Sequence, residues 1–329
     1  MWLLWVLSVW AEDGSDHEPA QKEPLGHEER LANLHALWSQ KDVDSLIEQA
    51  EALQLSGQFL EAQELIDFLL QEHSYPYVHY LWAQNQEYKY DYEVAIDTYS
   101  LLLKQNIDPA LAIDVSYRLG VALDENGEHK KAIRRWKALM RSKYFPSEHK
   151  TAIQLLIGAA QIHDGQSRRG VRTIHRALPK ATKREGWMQA RARNALAMLL
   201  IEQADAILLQ GKTVQRQVEK RMELLEKAEA QVVASLELDK TEYVLEGVIQ
   251  VVDAYLRMYD DAISIASPVP LLSVERSEYQ EELKKKAAVL KIKAQNYARK
   301  GLNYALQRDW QGREKKELST RIKALKKES

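Results

Sequence analysis

Along residues 116–136, "SYRLGVALDENGEHKKAIRRW", the apolar positions are spaced for two helices separated by a tight turn at Asn126-Gly127. The second helix is basic on one side, while Ile133, Trp136 and, just beyond, Leu139 share the other. Runs of alternating β-branched residues are absent from the chain, so the pattern predicts an all-α protein. A basic helix after a short turn suits either the recognition element of a DNA-binding helix-turn-helix or one unit of a helical repeat.

The flanking sequence decides between these. Gly120, Gly127, Ala132 and Trp136 follow one another at steps of seven, five and four. The same small, glycine, small, large order recurs as Ala50, Gly57, Ala62, Ile66 and as Gly158, Gly165, Gly170, Ile174. Between them comes Ala83, Tyr90, Ala95, Tyr99, with a tyrosine at the turn. Small residues on both helices permit close approach, the turn residue reverses the chain, and the large residue fills the gap to the next unit. One such pair cannot bury its own apolar face, so the units must stack.

This spacing resembles the tetratricopeptide repeat (TPR) family, in four copies near residues 43–76, 76–109, 113–146 and 151–184. The resemblance implies an array over 29–185 whose first helices line a concave groove. After 185 come four longer helical stretches (186–308), the last predicted to start with a capping box at Ser277 and Gln280 after the break "SPVP". They are expected to cap the array, and they resemble C-terminal extensions of bacterial cell-envelope repeat proteins such as those of myxobacteria-like species. The expected fold is an all-α, TPR-like helical-hairpin solenoid capped by long C-terminal helices. A basic tail, 309–329, is expected to be a frayed or partner-dependent helix.

Composition agrees: 13 Gly and 8 Pro in 329 residues leave the strong helix formers dominant. The absence of Cys excludes disulfides, Cys-ligated zinc and a thiol nucleophile, and suits an oxidising compartment. The net charge of -2 conceals an asymmetry. Residues 12–100 hold 19 acidic and 4 basic side chains, whereas 129–193 hold 3 acidic and 17 basic. Such a dipole steers partners by sign.

The first eleven residues, "MWLLWVLSVWA", make a helix of about 16 Å, too short to span a bilayer. With Ala11 before Glu12 they read as a signal peptide, incomplete because no Lys or Arg precedes the apolar run. Residues 12–28 then form an acidic flexible leader. The expected location is the periplasm or cell envelope of a bacterium, with the cytoplasm as the alternative.

The TPR resemblance implies groove positions Asp44, Ile47, Glu48 and Glu51 in the first copy, then Tyr77, Tyr80, Leu81 and Gln84 in the second. The third contributes Asp114, Tyr117, Arg118 and Val121, and the fourth Ala152, Leu155, Leu156 and Ala159. Glu48, Glu51, Tyr77, Tyr80, Gln84, Tyr117 and Arg118 are the expected partner-binding set, suited to a basic or aromatic peptide or helix. Leu155 and Leu156 are instead expected to pack on the first C-terminal helix. Lys130, Lys131, Arg134, Arg135, Arg168, Arg169 and Arg172 form a basic surface, first read as a solvated convex face. The sharper alternative is contact with an anionic lipid surface, polyanionic glycan or acidic protein. Nucleic acid ranks last, because Ile133, Trp136 and Leu139 are needed for packing.

No catalytic constellation appears. The nine His are scattered without a His-Glu-x-x-His pattern, and "GKT" at 211–213 has Ala206 where a phosphate loop needs glycine. The expected function is a non-catalytic adaptor with no cofactor or metal, assisting assembly of an envelope complex. A cytoplasmic regulatory or nucleic-acid-associated protein using 129–193 is the alternative.

Overall fold

The four residues that the repeat spacing assigns to turns, Gly57, Tyr90, Gly127 and Gly165, all adopt positive φ, at 78°, 67°, 77° and 77°. Glycine enters this region without a Cβ clash; for tyrosine it costs about 1–2 kcal/mol. These turns appear in a computed structural model that describes residues 27–73, 75–182, 186–210, 213–238, 241–265 and 273–327. The apolar start, most of the acidic leader and the "SPVP" break lie outside the described residues.

Every described element is helical. Helix α1 (His27–Trp38) belongs to a unit of its own ending at Asp42, and the rest of the chain forms a second unit. The second unit opens with four hairpins: α2 (Val43–Leu55) and α3 (Phe59–Glu72), α4 (Pro76–Tyr88) and α5 (Tyr92–Leu102), α6 (Pro109–Glu125) and α7 (His129–Leu139), α8 (Lys150–His163) and α9 (Ser167–Ala177). Pro76 and Pro109 occupy first-turn positions, where no amide donor is needed, and the Asp108 carboxylate caps α6 by accepting from the Ala110 amide at 2.8 Å. Five longer or later helices follow: α10 (Gly186–Asp205), α11 (Val214–Val233), α12 (Thr241–Ile263), α13 (Ser273–Gln307) and α14 (Arg313–Lys327). The unit is an all-α solenoid of helical hairpins capped by long helices.

The packing follows the small-large register. Ala50, Ala62, Ala83, Ala95 and Ala132 are fully buried, and so are Ile66, Tyr99, Trp136 and Ile174. At Gly120 a Cβ would lie 2.1 Å from Trp136 Nε1, so the indole occupies the space a side chain would need. The same indole donates to the Tyr117 carbonyl at 3.1 Å, which satisfies its polar edge in the core. Gly158 and Gly170 face one another: a Cβ on Gly170 would stand 2.6 Å from the Gly158 carbonyl.

Two expectations are corrected. Ser277 is not an N-cap, since α13 starts at Ser273 and Ser277 lies inside it. Nor is the basic tail frayed. Leu318, Ile322 and Leu325 of α14 are buried with Val248 and Tyr304, and Arg321 makes a bidentate pair with Asp253 of α12 at 2.8 Å for both contacts. The apolar stripe of α14 outweighs its many lysines because their charged ends remain in water.

Gly120→Ala is expected to destabilise the protein by about 1–3 kcal/mol, as the Cβ displaces a buried indole. Gly127→Ala meets no atom within 4 Å but keeps φ at 77°, so its cost is backbone strain alone, about 1–2 kcal/mol. Denaturant unfolding with Trp fluorescence should show perturbed native emission for the first variant only; identical native spectra would contradict this packing.

Candidate functional site

The first helices of the hairpins line a concave face, but that face is not an open groove. A cleft of about 850 Å³ forms where α2, α4, α6 and α8 meet residues from α10, α12 and the α13–α14 junction. Tyr80, Gln84, Asp114, Tyr117 and Arg118 contribute from the repeats, together with Gln54 and Tyr88. Trp187, Tyr243, Arg308 and Trp310 contribute from the far side. Phe145, His149 and Ala152, around the start of α8, complete it.

Tyrosines line the repeat side in an ordered series. The Tyr77 hydroxyl donates to Glu51 Oε1 at 2.5 Å, and its ring lies 5.6 Å from Tyr80. Tyr80 packs at 6.1 Å on the fully buried Tyr99, while Tyr117 meets Trp187 edge-on at 5.3 Å. Trp187 then stacks on Tyr243 at 5.6 Å. Burial, assisted by the neighbouring Glu51, keeps the Tyr77 phenol protonated far above neutral pH, and burial does the same for Tyr80. The cleft thus offers two groups of packed aromatic rings, Tyr77–Tyr80–Tyr99 and Tyr117–Trp187–Tyr243, interspersed with amides and a few charges.

The wall is held from behind by polar contacts. Gln54 Nε2 donates to the Leu81 carbonyl at 2.9 Å, and Asn85 Nδ2 donates to the Phe59 carbonyl at 2.9 Å. Arg118 Nε lies 3.3 Å from Glu87 Oε2, and Glu87 also accepts from the Tyr99 hydroxyl at 3.1 Å. The Arg118 guanidinium stands 5.2 Å from the Tyr88 ring centre and 5.8 Å from that of Trp187. Burial works against its charge, but Glu87 together with Tyr88, Tyr99 and Tyr243 outweighs it and keeps Arg118 a cation.

The far wall closes against the first repeat. Trp310 meets Phe59 edge-on at 6.1 Å, Phe59 stacks on Tyr88 at 5.1 Å, and the Gln311 amide donates to the Ser56 carbonyl at 3.0 Å. A Cβ on Gly57 would stand 2.7 Å from the Gly312 nitrogen, so this glycine serves the turn and the close approach together. Tyr90, the strained turn residue, donates its hydroxyl to Glu314 Oε1 at 2.7 Å, and Arg313 lies 3.4 Å above its ring. Those contacts offset the cost of its backbone.

The expected partner-binding residues are therefore divided. Tyr80, Gln84, Tyr117 and Arg118 reach the cleft; Tyr77 and Glu51 adjoin it through their mutual hydrogen bond; Glu48 lies exposed on α2 and does not line it. Arg118 is only 7% exposed and serves the wall as much as the surface. Of the wider groove set, Asp114 and Ala152 line the cleft, Asp44 is exposed, and Ile47 is half-buried. Leu81, Val121 and Ala159 belong to the core instead, because their helix positions turn toward the neighbouring helices. Leu155 packs with Ala192, Ala195 and Leu196 of α10, and Leu156 is buried in the core of the second to fourth hairpins, in reach of Trp187 and Met188. Lys130, Lys131, Arg134 and Arg135 on α7, with Arg168, Arg169 and Arg172 on α9, are all exposed. Sequence reasoning missed Trp187, Tyr243 and Trp310, which reach the cleft from as much as 230 residues beyond Tyr80 and belong to no repeat.

Among the described residues, one donor set could hold a metal ion, formed by Asp124, His129 and His163 away from the cleft. No described helix is long and apolar enough to cross a membrane.

No protein-family model and no curated protein matches the chain. Among solved structures it is similar to the C-terminal part of a TPR repeat-containing protein from Cytophaga hutchinsonii. The two share 14% identity at a TM-score of 0.37, over 84% of this chain and 94% of that one.

Beside the cleft, burial and the nearby Glu314 push the Glu246 carboxyl up to about 7, against the pull of Arg191 and Arg313. Between its ordinary value of 4.5 and about 7, the folded state holds a proton that the unfolded chain has released. Stability contributed here is thus present at low pH and falls as pH rises through that window. Glu246→Gln is expected to raise the melting temperature by about 2–4 °C at pH 8 and leave it nearly unchanged at pH 5. Equal shifts at both pH values in thermal circular dichroism would contradict the assignment.

Proposed function

We propose that the protein is a non-catalytic interaction adaptor that captures an extended peptide or helix of a partner protein in the aromatic cleft. The observation that supports this most is the aromatic lining, in which Tyr117 meets Trp187, Trp187 stacks on Tyr243, and Tyr80 lines the same cleft. Tyr and Trp offer large contact area with few rotors to freeze, so they suit binding. Asp114 is exposed at the cleft, and Glu48 and Glu51 lie on α2, so the favoured segment carries an aromatic anchor flanked by basic residues. The one cation built into the repeat-side wall, Arg118, is already paired with Glu87, which leaves little attraction for an acidic tail.

The proposed setting is assembly of a bacterial envelope complex, after export through the apolar start. The exposed bases of α7 and α9 would then orient the adaptor against an anionic lipid or acidic partner, in a salt-dependent manner. A nucleic-acid role is disfavoured. Ile133, Trp136 and Leu139 commit one face of α7 to the core, so α7 is not free to enter a groove as a reading helix.

Panning a random peptide display library on the full chain tests the reading. Selected peptides are expected to be rich in aromatic and basic residues. The Tyr80→Ala/Tyr117→Ala double variant should lose at least tenfold in affinity for them while keeping its helical circular dichroism. Peptides that bind the double variant equally well would overturn the cleft as the capture site.

A further inference from the structure

Away from the cleft, three helices from two adjacent hairpins converge on one carboxylate. Asp124 lies one residue before the end of α6, and its side chain is completely shielded from solvent. His129 begins α7 across the Asn126-Gly127 turn, with Nδ1 2.7 Å from Asp124 Oδ1. His163 ends α8, with Nδ1 3.3 Å from Asp124 Oδ2. The two imidazoles lie 5.5 Å apart at 55°, and each side chain is a little over one-fifth exposed, at 21% and 23%. The three donor atoms lie within 4.8 Å of one another.

We propose that Asp124, His129 and His163 form a binding site for a single dication of the zinc class, distinct from the peptide cleft. The donor set is two imidazole nitrogens and one carboxylate, which suits borderline metals such as zinc, cobalt and nickel rather than magnesium or calcium. A tetrahedron with metal–ligand bonds near 2.0–2.1 Å has edges of roughly 3.3 Å; His163 Nδ1 stands at that distance from Asp124 Oδ2, while His129 Nδ1 lies 2.7 Å from the other oxygen, Oδ1, and must swing outward to make room for the ion. Small rotations of two partly exposed imidazoles complete the fit, and the remaining coordination position is left to water.

Two further groups suit the site. Arg191 from α10 holds Asp124 Oδ2 at 2.5 Å and also pairs with Glu125, so the carboxylate is fixed in orientation from behind while Oδ1 faces His129. Such an outer partner is the usual means of positioning a metal-binding carboxylate. Asp164, next to His163, adds a second negative charge near His129 and compensates for the guanidinium. Without metal the same residues form a hydrogen-bonded hub, in which both histidines direct Nδ1 toward Asp124. With metal bound, those two contacts become coordination, and α6, α7 and α8 are tied across the boundary between the third and fourth hairpins.

Isothermal titration of the metal-stripped full chain with zinc at pH 7.5 tests the site. One equivalent is expected to bind. His129→Gln and His163→Gln, which keep a hydrogen-bond donor, should each weaken it at least tenfold while retaining wild-type helicity. His175→Gln, on the exposed face of α9, should leave it unchanged. Cobalt should give a visible spectrum of low coordination number that vanishes in both site variants. No tight equivalent, or equal binding by the wild type and both site variants, would overturn the proposal and leave the cluster as a hydrogen-bonded hub.

Discussion

The contact on which the cleft depends is the return of the chain onto its own first hairpin, where Trp310 meets Phe59 and the Gln311 amide reaches the Ser56 carbonyl. Without it, the tyrosines of α4 and α6 would line an open face, where a partner would gain only one-sided contact. With it, Tyr243, Arg308 and Trp310 form a second wall, so that an aromatic side chain entering the cleft would be desolvated on two sides. Closure links residues about 250 positions apart, and its chain-entropy cost grows only slowly with that separation. Several groups repay that cost together. Gly57 and Gly312 allow the backbones to approach, Trp310 donates to the nearly buried Glu314 at 2.9 Å, and Tyr90 reaches the same carboxylate.

Buried charge is concentrated where the repeats meet the C-terminal helices. Arg118 with Glu87 lies under Trp187, and Arg191 of α10 reaches Asp124 and Glu125 of α6. Such pairs add little net stability compared with apolar packing, but breaking one partner leaves an uncompensated charge. Their effect here is selective. A slip of α10 along the repeats would strand Arg191 away from Asp124 and Glu125, which favours one register for that helix. The apolar surfaces on either side, including Leu155 against Ala192 and Leu196, would tolerate a slip more readily.

Much of the array was legible from spacing alone, because its rules are local. A turn needs a residue that tolerates positive φ, and a close helix pair needs small residues opposite a large one; Gly127 meets the first demand and Gly120 opposite Trp136 the second, all within twenty residues. Tyr90 fits the spacing and breaks the composition, and the reason lay in Glu314 and Arg313, beyond any local rule. Tyr80 and Tyr117 were legible as cleft residues for the same local reason, since they occupy first-helix positions facing inward. Leu81 and Val121 were misplaced because repeat geometry fixes which residues face the groove only to within one position. The partner residues on α10, α12 and the α13–α14 junction follow no repeat, so spacing could not place them. Nor could it show that His129 and His163, 34 residues apart, share one carboxylate.

The central claim is that the C-terminal helices dock back across the repeats and close the cleft. Hydrogen–deuterium exchange read at the Gln311 amide and along α14 tests it most directly. The account predicts protection comparable to that of α6 and α8, lost together with closure when Trp310 is replaced by alanine. Exchange of Gln311 and α14 within seconds in the wild-type chain, beside protected repeats, would contradict it.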